Sequence, residues 1–235
     1  MTDARRRQAQ RALAQGDPAA KAAYVTALLR GGELPYEFVS SASALGSETA
    51  WLVQGGFLRP GQNFSPGIRL EAALAAVVGW PLEDFLDVLV TWCLGKTLEL
   101  VKKHKIKVPD GARGPGAAAI RILRHGHASR VEDYLDISER LRILELQIDN
   151  VAMMDPQWTS AEYNRHHRSH SLISVLRNLW WLTPPHRLVT ENRSILHFQI
   201  TLLFSNLTRL EAAEPANFQV WKRLMAEFGD YLVLG

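Results

Sequence analysis

The sequence predicts an all-α protein, with short helix pairs followed by an antiparallel helical bundle. Three observations carry that reading. Apolar residues recur at three- and four-residue spacing rather than alternately, the period of a helix that buries one face. All eleven prolines fall at breaks or in first helical turns, where a missing N–H costs little. Long leucine-rich stripes run through the C-terminal half.

Each element follows from its local signals. The N-terminal part reads as helices over 3–15, 18–30, 35–45, 47–54, 67–79 and 81–104. Gly16-Asp17-Pro18 opens the second, with a capping aspartate and a proline at the first helical position. Gly31-Gly32 closes it, and Leu45-Gly46-Ser47 separates the next two. Gly55 to Pro66 and Lys105 to Gly116 read as connections. Helices over 117–126, 130–154, 157–182, 190–212 and 215–233 complete the chain. Tyr134, Ile137, Leu141, Leu144, Ile148 and Val151 form a heptad seam, and Leu196, Ile200, Leu203, Leu207 and Leu210 form a second. With Trp221, Leu224, Met225 and Phe228 on the last helix, these stripes read as the core of a bundle. A homodimer seam built from the first stripe is the lesser reading. Ala118 to Leu123 is the best candidate for a strand, and it is short and alanine-rich. The division expected is a solenoid-like part over 1–104 and a bundle over 117–235, or one continuous domain.

The Gly-Asp-Pro…Leu-Arg-Gly-Gly-Glu-Leu…Ala-Leu-Gly-Ser succession within residues 11–54 resembles the helix-pair units of HEAT- and TPR-like bacterial proteins. It lacks the Trp and Tyr positions of a TPR unit and has no second copy at a fixed period, so no specific family is identified. The resemblance implies a scaffold that presents a surface rather than a chemistry.

Composition narrows the class. A chain of 235 residues with 47% hydrophobic and 22% charged residues can bury a sizeable core. One cysteine, Cys93, excludes an internal disulfide framework and any multi-cysteine zinc site, and its apolar setting makes it an inert buried thiol. The basic N-terminus (Arg5, Arg6, Arg7, Arg11) lacks the apolar region of a signal peptide. The most apolar stretch, Leu70 to Trp80, falls short of the ~20 residues a membrane span needs. A cytoplasmic location is the expectation.

The formal net charge of +3 conceals strong segregation. Residues 96–130 carry nine Lys and Arg against two acids, and residues 131–155 carry seven acids against two arginines. The basic stretch suits an anionic partner, either an acidic protein or a nucleic acid. It holds no aromatic residue for stacking on bases, which favours the protein. A face that is simply solvated, or neutralised within the fold by the neighbouring acidic helix, is the ordinary reading of such a stretch.

Two local patterns carry chemistry. Arg124-His125-Gly126 after an apolar run is similar to the signature of the histidine phosphatase superfamily. That resemblance would make His125 the phosphoryl acceptor and Arg124 its phosphate-binding partner, at the end of a strand. The residues that follow read as long helices, so the phosphatase context is missing. Glu162, His166 and His170 fall at i, i+4 and i+8, on one helix face that continues to Ile173, Arg177 and Trp180. Such a set is a candidate metal site, although Arg165 and Arg168 beside it oppose a dication. Gly95-Lys96-Thr97 lacks the preceding glycine of a phosphate loop. Trp180-Trp181 sends two large rings to different sides, at least one of them into the core. No cofactor is expected.

The reading that results is a non-enzymatic protein-binding protein of bacterial type, of the immunity or antitoxin kind. Its expected contact residues are Arg121, Arg124, His125, His127, Arg165, His166, Arg168 and His170. A nucleic-acid-binding regulator using residues 96–130 and a metal-dependent enzyme centred on Glu162 are the alternatives.

Overall fold

The computed structural model describes residues 16–55, 65–77, 81–106, 117, 119, 121, 139–146, 160–182, 192–212 and 217–235. The fold is all-α, and no strand occurs among the described residues. The helices are α1 (Pro18–Arg30), α2 (Tyr36–Leu45), α3 (Glu48–Val53), α4 (Pro66–Ala76), α5 (Pro81–Lys103), α6 (Ser160–Trp181), α7 (Arg193–Ala212) and α8 (Phe218–Leu234). Residues 139–146 are also helical, as are 117, 119 and 121, so the candidate strand at Ala118 is not one at those positions. The expected helix over 3–15 lies outside the described residues.

The chain forms two compact units, one of residues 1–89 with 222–235 and one of residues 90–221. Helices α5 and α8 each pass from one unit into the other.

In the first unit, α1 packs on α3, and α2 packs on both α3 and α4. Caps set the boundaries. Asp17 accepts from the Ala19 N–H at 3.1 Å, and Ser65 caps α4 ahead of Pro66. The decisive joint is the α2–α3 corner. Gly46 ends α2 in the left-handed conformation (φ 104°), and its N–H bonds back to the carbonyls of Ala42 and Ser43. Ser47 then caps α3, accepting from Ala50 N–H at 3.1 Å, while its hydroxyl donates to Asp230 Oδ1 at 2.5 Å. Helix α8 reaches this corner because Gly229 has no side chain. A Cβ there would stand 2.9 Å from Ala42 O and 3.2 Å from Ser47 Cβ. Phe228, one residue earlier, meets Phe85 edge to face at 5.5 Å.

The second unit is built on three long helices. Leu196, Ile200, Leu203, Leu207 and Leu210 of α7 are all buried, as the stripe predicts, and Leu141 and Leu144 are buried as well. Tyr134, Ile137, Ile148 and Val151 lie outside the described residues. Helices α6 and α7 pack on one another, and Arg168 in the first half of α6 meets the last turn of α7. Trp92 of α5 packs on Phe204 of α7 at 6.0 Å, and Lys103 pairs with Glu211 further along both helices, so α5 and α7 run the same way. Trp180 is fully buried and Trp181 partly exposed. Cys93 is buried, and burial pushes its thiol well up from the ordinary range. Gly95, Lys96 and Thr97 lie inside α5; Lys96 pairs with Glu99 at 3.2 Å, and Thr97 Oγ1 donates to Cys93 O, so no phosphate loop forms.

Gly229→Ala is expected to destabilise the protein by about 1–3 kcal/mol in urea unfolding, because the added methyl meets backbone that cannot yield. Gly46→Ala is expected to cost at least ~1 kcal/mol, combining a left-handed backbone with a close contact.

Candidate functional site

Two clusters in the second unit take up Arg168 and His170 from the residues that stood out in the sequence. The first lies where α5, α6 and α7 bring their ends together. Helix α5 finishes with Lys105 in the left-handed region (φ 49°), Ile106 N–H bonding to Val101 O and Lys105 N–H to Lys102 O. That is a Schellman closure with lysine where glycine is usual, and His104 is its cap residue. Arg168 donates through Nε to Leu210 O at 3.1 Å and through Nη2 to Glu211 O at 3.4 Å, capping the C-terminal carbonyls of α7. Lys103 Nζ stands 3.4 Å from Glu211 Oε1. His104 Nε2 is buried in this group without a hydrogen-bond partner. Desolvation first, then the charges of Arg168 and Lys103, hold its imidazole below the ordinary histidine range, against an opposite pull from Glu211.

The second cluster centres on Glu145, in the helical stretch 139–146. Its carboxylate takes the Ser174 hydroxyl on Oε1 and the Arg177 guanidinium on Oε2, and His170 Nε2 lies 3.9 Å from Oε1. His170, Ser174 and Arg177 are at i, i+4 and i+7 on α6, so one helix face supplies all three. The serine donates straight to the carboxylate with no imidazole between them. That order is a clasp between helices, not the hydroxyl–imidazole–carboxylate order of a nucleophile relay.

The expected contact residues therefore have different fates. Arg168 and His170 face other helices of the unit. Arg165 is exposed, and His166 is half-buried with its ring 6.1 Å from that of His167. Arg121 is exposed, whereas Arg124, His125 and His127 lie outside the described residues. The candidate metal set is not assembled: Glu162 is exposed and His170 turns to Glu145. Among the described residues no group of three or more His, Cys, Asp or Glu side chains is placed to hold a metal ion. The helical conformation at 117, 119 and 121 removes the strand start that a histidine phosphatase motif would need.

Family models, curated proteins and solved structures give no match to the chain.

The basic stretch is the remaining feature. Lys102, Lys105 and Arg121 are exposed and form no ion pair among the described residues. The acids described in residues 131–155 are engaged elsewhere, Glu139 with Arg142 three residues on and Glu145 with α6. Sequence reasoning missed Glu145 and His104 as organising groups. Glu145 carried a signal, as a carboxylate one residue past the buried Leu144 in an apolar stripe.

Stability should fall as pH drops through His104. Its folded pKa lies below the unfolded value of about 6.5. The neutral imidazole's contribution is therefore complete above that pH and is lost toward the lower folded pKa. Thermal melts from pH 8 to 5 should show His104→Gln losing less than the parent. A second outcome expected from the same corner is that Lys105→Gly raises stability, by up to about 1 kcal/mol, through relief of the left-handed lysine.

Proposed function

We propose that the chain is a non-enzymatic, protein-binding helical scaffold that acts by occupying an acidic protein partner, as immunity and antitoxin proteins do. The observation that carries the reading is the set of exposed cations Lys102, Lys105 and Arg121 in the second unit, which form no ion pair among the described residues. Segregated charge in the sequence would mean little if the acidic segment neutralised the basic one. Of that segment, the two described acids, Glu139 and Glu145, pair with Arg142 and with α6 rather than with the basic stretch. Cations left in solvent steer an oppositely charged surface and set the speed and register of docking.

Two further points support binding over catalysis. The Glu145 and Glu211 clusters bind helix to helix, and neither has the contact order of a nucleophile relay. The helix-pair resemblance at residues 11–54 belongs to proteins that present surfaces.

Co-purification from the source cell at low ionic strength should return a stoichiometric acidic protein. The triple charge reversal Lys102→Glu, Lys105→Glu, Arg121→Glu should weaken that complex on the order of 10–100-fold, mainly through association rate. A clean monomer at low salt would count against the proposal, and recovery of nucleic acid in place of protein would transfer the basic face to the regulator reading.

A further inference from the structure

One charged side chain has no account in anything above. Arg69 lies on the buried stripe of α4 with Pro66, Leu70, Ala73 and Leu74, and only 8% of its surface is exposed. Its Nε is buried without a hydrogen-bond partner, and among the described residues no carboxylate pairs with the guanidinium. Burial pulls its pKa down from the ordinary arginine value, and no neighbouring charge compensates. An arginine cannot escape this penalty by losing its proton, as a lysine or histidine can.

The surroundings say where the charge is aimed. Arg69 Nη1 lies 2.7 Å from the position a Cβ would take on Gly46, so the guanidinium rests over the α2–α3 corner in space that only a glycine leaves open. That corner is rich in hydroxyls kept from solvent: Ser41, Ser43, Ser47 and Thr49 are all buried, and Ser41 Oγ makes no hydrogen bond. The carboxylate at the corner, Asp230, accepts from Ser47 and forms no ion pair with Arg69. The C-terminal end of α2 offsets part of the positive charge, as any helix terminus does within a turn. It supplies no hydrogen bond to Arg69. A guanidinium offers five donors in a planar fork suited to two oxygens of one anion.

We infer that Arg69 is the floor of a binding site for a small oxyanion, a phosphate or carboxylate group, at the α2–α3 corner. The narrow exposure of the side chain restricts the ligand to a small molecule or ion; a folded partner's surface cannot enter. The site is in the first unit and does not depend on the basic face of the second.

The test compares the full-length parent with Arg69→Met and Arg69→Lys in buffers whose only anion is chloride, with millimolar inorganic phosphate or acetate added. Phosphate or acetate should raise the melting temperature of the parent saturably, by roughly 3 °C or more, and leave Arg69→Met unchanged. Acetate matching phosphate assigns the carboxylate chemistry, and phosphate acting alone assigns the phosphate. In chloride alone, Arg69→Met should melt above the parent, since it removes an unpaired buried charge while keeping the packing. Equal shifts in parent and Arg69→Met, or no shift in the parent, would overturn the inference. If Arg69→Met fails to fold, calorimetric titration of the parent with phosphate and with acetate decides: saturable binding at sub-millimolar concentration of either, weakened in Arg69→Lys, is expected, and its absence for both refutes the site.

Discussion

The first unit depends on the approach of α8 to the α2–α3 corner, where a glycine on one helix lets backbone meet backbone. Gly229 stands so close to Ala42 and Ser47 that any side chain would separate the helices. Loss of a side chain costs helix propensity, and close packing with a new hydrogen bond offsets it. Ser47 uses its one oxygen twice, as acceptor for the cap of α3 and as donor to Asp230. The same corner needs Gly46 in the left-handed region, and the room above Gly46 is where Arg69 lies. Helix capping, helix packing and the buried arginine are thus three consequences of one short Leu-Gly-Ser turn.

In the second unit, polar side chains do the joining that small residues do in the first. Glu145 draws Ser174 and Arg177 of α6 to the 139–146 stretch, and Arg168 closes the end of α7. These contacts use up carboxylates and carbonyls inside the unit. Of the acids in residues 131–155, the two described ones, Glu139 and Glu145, are engaged with Arg142 and with α6. Burying a charge stabilises only if it is paired, so a fold that needs Glu145 within it also needs Arg177 beside it. His104 shows the opposite condition, an imidazole whose pKa is lowered first by desolvation and then by the charges of Arg168 and Lys103.

Much of the secondary structure was legible. Pro18, Gly31, Gly46, Ser47 and Pro81 stand at or within a residue of observed boundaries because capping and proline effects are local. The α7 stripe was legible for the same reason: one helix face is a property of spacing alone. Glu162, His166 and His170 share one helix face by spacing, but a face does not say what it meets. His170 and Glu162 diverge because one lies opposite Glu145 and the other opens to solvent.

The sequence by itself determined the helices, their ends and which stripes are apolar, together with the segregation of basic from acidic residues. Tertiary structure decided which helices belong together. The final helix leaves the stripes that precede it in sequence and, from Lys222 onward, completes the N-terminal unit. It also decided which charges are spent on one another and which are left over, at Lys102, Lys105 and Arg121 on the surface and at Arg69 within. The physical reason is range: capping and periodicity act within a turn or two of one chain segment, whereas pairing and desolvation depend on neighbours that only folding supplies.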